Sequence, residues 1–73
     1  MDNDQLKIRE QIGIRLKKAR EDAGLTQLEL AKKLDISVNY VSMIERGEVN
    51  FSFDKIYKII KILKIKSSNI LSF

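Results

Sequence analysis

The reading of this chain turns on Gly24-Leu25-Thr26-Gln27-Leu28-Glu29-Leu30-Ala31-Lys32-Lys33-Leu34-Asp35-Ile36-Ser37-Val38-Asn39-Tyr40-Val41-Ser42-Met43-Ile44-Glu45-Arg46-Gly47. Thr26 and Glu29 have capping-box spacing: the Thr26 hydroxyl can accept from the Glu29 N–H while the Glu29 carboxylate reaches back to the Thr26 N–H. A helix from Gln27 to Leu34 follows. Ser37 is a second N-cap, and a helix from Val38 to about Arg46 ends at Gly47, a residue suited to the left-handed position that closes helices. Two short helices joined by about three residues form a helix-turn-helix.

On either side the chain remains helical. Upstream, a helix from about Asp4 to Ala23 stops at Gly24. Downstream, Ser52 caps a helix from Phe53 to Leu63, with Asp54 in its first turn, where a carboxylate suits the helix dipole. β-branched residues are frequent there, but periodicity decides for a helix. Counting from Lys55, Ile56, Ile59, Ile60 and Leu63 fall within about 40–140°, while Lys55, Lys58 and Lys61 face the other way. Residues 67–72 form at most a short closing helix. The expected fold is all-α, one compact domain over residues 1–73 with four helices and a weakly signalled fifth.

Composition excludes more than it selects. The 73 residues contain no Cys, His, Pro or Trp. Disulfides, thiolate zinc sites, the usual nucleophile, the usual acid/base and the usual transition-metal ligands are therefore missing. No metal, cofactor or catalytic residue is expected, and an enzyme ranks a distant third among the readings. Apolar runs such as Ile59-Ile60 are broken by lysines, far short of the ~20 residues of a membrane span. Residues 1–5 do not resemble a signal peptide. A cytoplasmic location with no membrane contact is the expectation. The net charge of +4 favours an anionic partner, yet residues 35–54 hold one basic against four acidic side chains, and residues 55–73 hold five lysines and no acid.

The helix beginning at Val38 has two unlike faces. Counted from Val38, Val41 and Ile44 lie at about 300° and 240°, whereas Ser42, Arg46, Asn39 and Met43 lie at about 40°, 80°, 100° and 140°. The outward side thus presents a hydroxyl, a guanidinium, an amide and a thioether. Asn can pair bidentately with adenine, Ser can bond either way, and Val38 or Met43 can touch a thymine methyl group. Arg46, at the far end, suits phosphate better than a base edge. Tyr40 lies at the edge of the buried arc, with its hydroxyl able to reach solvent or phosphate. The bland reading of this face is an uncharged surface or a protein contact. Lysines 55, 58 and 61 are read as a solvated face, Ala31 as packing and Leu28 as a single exposed leucine.

These motifs, with Leu34, Ser37, Tyr40-Val41-Ser42, Ile44-Glu45-Arg46-Gly47, Asn50, Ser52, Phe53 and Ile56 downstream and Ile12-Gly13, Leu16 and Arg20 upstream, closely resemble the lambda repressor and Cro-like, or XRE, family. The likeness spans about residues 10–71. It implies a five-helix domain that binds operator DNA as a homodimer and regulates transcription, as phage repressors and restriction-modification controller proteins do. By position it implies that Gln27 contacts phosphate and braces the recognition helix. Ser37, Val38, Asn39, Ser42 and Met43 then face DNA, and Tyr40 and Arg46 touch its backbone. Arg20 and Glu45 match an ion pair linking the first and third helices. Asp35 stands where the turn often has Gly, and Lys66 replaces the usual last cap.

Ile62, on the lysine side of its helix, is a candidate dimer contact, and Ile70, Leu71 and Phe73 at the end are either the last core residues or a dimer contact. The alternative function is a protein-interaction module, an antitoxin or adaptor, holding a partner with Leu28, Ile62 and the terminal apolar residues.

Overall fold

A computed structural model describes residues 3–50, 52–66 and 68–71, and these form α1 (Asn3–Asp22), α2 (Gln27–Leu34), α3 (Val38–Glu45), α4 (Phe53–Leu63) and α5 (Ser68–Leu71). The bounds agree with the sequence reading to within a residue or two. The starts of α2, α3 and α4 are capped. Thr26 Oγ1 accepts from Glu29 N at 3.0 Å while Thr26 N donates to Glu29 Oε1 at 2.9 Å, and the Oγ atoms of Ser37 and Ser52 accept from Tyr40 N and Lys55 N. The capping bonds hold the Glu29 carboxyl below its ordinary pKa.

The ends are closed by left-handed residues. Gly24 (φ +75°) and Gly47 (φ +73°) end α1 and α3. At Gly24 the N–H of Leu25 returns to Arg20 O, and at Gly47 the N–H of Glu48 returns to Met43 O, the six-to-one bond of a Schellman motif. Asp35 takes φ 57° between α2 and α3, a left-handed position that its short polar side chain tolerates. Lys64 takes φ 55° after α4, which nothing local announces.

The core joins Ile12 and Leu16 of α1, Leu30, Ala31 and Leu34 of α2, Val41 and Ile44 of α3, Ile59 and Leu63 of α4, and Ile70 of α5. Within it α2 packs on α3 and α4, and α1 packs on α3 and α5. The α1–α3 crossing requires bare backbone. A Cβ at Gly13 would stand 2.5 Å from Glu45 O and 2.6 Å from Ile44 O, and one at Gly47 would stand 2.8 Å from Glu10 Cα.

This packing places one of the four candidate dimer residues in the core and partly covers two others. Ile70 is 2% exposed inside the core, because α5 folds back on α1. Ile62 and Leu71 are half-buried against the same cluster, so the buried arc of α4 is wider than one helical face suggests. Phe73 lies outside the described residues. Large apolar side chains stay open elsewhere: on α4 Phe53 is 83% exposed and Tyr57, one turn on, 60%, and on α1 Ile14 is 65% exposed.

Candidate nucleic-acid interface

α3 is held from behind by Val41 and Ile44, each 1% exposed, and from its end by Glu45. The Glu45 carboxylate accepts from Arg20 Nε at 2.7 Å, Arg20 Nη2 at 3.2 Å and Gln27 Nε2 at 2.9 Å, while Arg20 Nη1 donates to Leu25 O at 2.7 Å. Hydrogen bonding to Glu45 pushes the Arg20 pKa up against the opposing effect of burial. Three helices are thus pinned at one buried charged knot, and Gln27 braces α3 from the first residue of α2.

The outward side of α3 is polar. Val38 and Asn39 are exposed, Ser42 and Met43 are half-buried, and Asn39 Nδ2 lies 3.6 Å from Met43 Sδ. Ser37 spends an oxygen lone pair on its cap and keeps its proton for a further partner. Arg46 lies along the same face: its Nη1 donates to Ser42 Oγ at 2.6 Å, and its Nε and Nη2 donate to the two oxygens of Glu48 at 3.0 and 2.9 Å. This bidentate pair raises the Arg46 pKa and lowers that of Glu48.

Tyr40 differs from the other positions. Its hydroxyl donates to Asn50 O at 3.4 Å and accepts from Lys55 Nζ at 3.2 Å, with the ammonium 4.4 Å from the ring centroid. Asn50 Oδ1 also accepts from Arg9 Nη1 at 3.2 Å. Tyr40 therefore ties the loop after α3 to α4, with its proton already engaged, and Asn50 ties the same loop to α1. Glu48, Asn50 and Lys55 are members of this surface that sequence reasoning passed over. Periodicity puts Lys55 on a solvated stripe, and its link to Tyr40 spans 15 positions, beyond the reach of helical periodicity.

A groove of about 380 Å³ opens between α1 and the α4–α5 side, lined by Arg15, Lys18, Ala19, Asp22 and Leu63 among others. Among the described residues there is no cluster of groups that could hold a metal ion, and no helix is long and apolar enough to cross a membrane.

A family of helix-turn-helix proteins matches residues 16–69. Over 60 residues the chain is 40% identical to the control protein C.BamHI of Bacillus amyloliquefaciens, a match covering 82% of this chain and 69% of that protein. It is 47% identical over 36 residues to the HTH-type transcriptional regulator PrpR of Mycobacterium tuberculosis, a match that takes in 49% of this chain and only 7% of PrpR. The crystal structure of the restriction-modification controller protein C.AhdI from Aeromonas hydrophila superimposes with a TM-score of 0.79 at 32% identity. That match covers 85% of this chain and 94% of C.AhdI.

Proposed function

Because the chain belongs to this helix-turn-helix family, we propose that it is a cytoplasmic, sequence-specific transcriptional regulator that places α3 in the major groove of DNA. It binds as a dimer to a pseudo-palindromic operator whose half-sites lie about 34 Å apart. The observation that carries this reading is the polar outward face of α3, with Asn39 and Val38 exposed opposite the buried Val41 and Ile44. Asn39 reads adenine, Ser42 a base-edge donor or acceptor, and Val38 or Met43 a thymine methyl group. Gln27, Ser37 and Arg46 hold the phosphates, and Tyr40 sets the loop beside them. The dimer face is Phe53 and Tyr57, a patch that a two-fold axis can match to itself.

A gel shift with the DNA immediately upstream of the coding sequence tests this reading. Asn39→Ala should cost ~1–3 kcal/mol on the preferred duplex and relax preference at one base position. Weak, salt-sensitive and equal retention of every duplex would overturn it. That result would leave the protein-interaction reading, with the exposed Phe53–Tyr57 face as its surface.

A further inference from the structure

Residues 35–54, which include the recognition helix, contain a single cation, Arg46, and four acids. That cation is not free in the unbound protein. The Nε–Nη2 edge of its guanidinium, the edge that grips a phosphate bidentately, is filled by the two oxygens of Glu48 at 3.0 and 2.9 Å. The remaining side of the fork goes to Ser42 Oγ at 2.6 Å, so the guanidinium lies flat along the outward face of α3.

The position of Glu48 is set by the backbone and not by side-chain chance. Gly47 turns the chain at φ +73°, the Glu48 N–H is returned to Met43 O at 3.0 Å, and the Gly47 backbone is backed against Glu10 of α1. Both partners remain about half exposed, 54% for Arg46 and 49% for Glu48, so an incoming phosphate can reach the pair from solvent.

We propose that Glu48 is a built-in competitor for the DNA phosphate: its carboxylate holds Arg46 in the free protein and must give up the guanidinium before that residue can grip the backbone. This rests on the DNA-binding reading above. Two consequences follow from charge alone. Each complex formed exchanges one carboxylate for one phosphate on the same fork, so Arg46 contributes less net affinity than an unpaired arginine. After the exchange, Glu48 stands beside the phosphates and repels them. Neither effect depends on base sequence, so Glu48 lowers affinity for every duplex equally and leaves base preference to Asn39 and its neighbours.

The test is fluorescence anisotropy on two labelled duplexes, the upstream DNA and a shuffled duplex of equal length, over a series of salt concentrations. Glu48→Gln keeps the shape and removes the charge; Glu48→Ala is its check. Both should bind both duplexes about two- to five-fold more tightly than the wild type, the range expected of a solvent-exposed ion pair. The salt slope should steepen by about one ion. In an Arg46→Ala background the same substitutions should give a clearly smaller gain, the part that repulsion alone contributes. Unchanged affinity with Arg46 present would overturn the proposal. So would a loss confined to the upstream duplex, which would make Glu48 a base reader, or an equal gain with Arg46 absent, which would reduce it to general repulsion. Failure of the wild type to bind either duplex at low salt would overturn the DNA-binding reading itself, a result distinct from the others.

Discussion

Replacing Glu45 by Ala removes the carboxylate on which α1, α2 and α3 converge. Its oxygens serve Arg20 twice and Gln27 once, at 2.7, 3.2 and 2.9 Å, and the Arg20 and Glu45 side chains are 8% and 3% exposed. The substitution leaves a buried guanidinium with the Leu25 carbonyl as its remaining acceptor in this knot. Removing one partner of a buried pair costs ~3–5 kcal/mol, because the other charge is stranded away from water. In a domain of this size each kcal/mol lowers the midpoint by ~4–8 °C, so the fall in Tm should be roughly 12–40 °C, a large share of the total stability. Thermal and urea unfolding followed by far-UV circular dichroism measures it. The double substitution Arg20→Met with Glu45→Leu removes both charges and fills similar volume, and it should recover most of the loss. A Glu45→Ala cost below ~1 kcal/mol would show that the knot is solvated and would refute the reasoning. A double variant as unstable as the single one would refute the stranded-charge explanation. Salt should leave this pair nearly unaffected, in contrast to the half-exposed Arg46–Glu48 pair.

Gly13→Ala should destabilise the fold by ~1–3 kcal/mol, the reverse of the gain that alanine ordinarily brings inside a helix, because the added methyl group meets the Ile44 and Glu45 carbonyls. A rise in Tm would show that α1 can move away from α3 at little cost. Lys64→Gly should raise stability by ~0.5–1 kcal/mol, or about 2–8 °C in Tm, by relieving a side chain held at φ 55°. A fall in Tm on the same melt would mean that the Lys64 side chain contributes more than its backbone strain costs.

The starts of α2, α3 and α4 were legible because each depends on groups three residues apart. The Thr26–Glu29 box and the Ser37 and Ser52 caps use neighbours along the chain, so residue type and spacing suffice. The outward face of α3 was legible for a similar reason, since a 3.6-residue period assigns Val41 and Ile44 to one side and Asn39 to the other. Asp35 could be anticipated in the left-handed region because its short polar side chain tolerates it, whereas Lys64 carries no such signal. The choice of core over dimer contact for Ile70 and the partial burial of Ile62 are not legible in the sequence, because periodicity orients a residue on its own helix and says nothing about which other helix arrives beside it. Phe53 and Tyr57 stay open for the same reason: no described helix covers that side of α4.

By itself the sequence determined the caps, the helix lengths, the helix-turn-helix and the residues on its outward side, all settled by contacts within about one helical turn. The pairing of Arg20 with Glu45 was supplied by family resemblance, since nothing in their 25-residue separation predicts it. Tertiary structure decided what the crossing helices bring together across long stretches of chain. Arg9 meets Asn50 across 41 positions, Gly13 lies on the last carbonyls of α3, and Lys55 is drawn onto Tyr40. It also decided that the single cation of the reading segment is already paired with a carboxylate, because the turn at Gly47, closed against α1, holds Glu48 at the guanidinium that a phosphate would need.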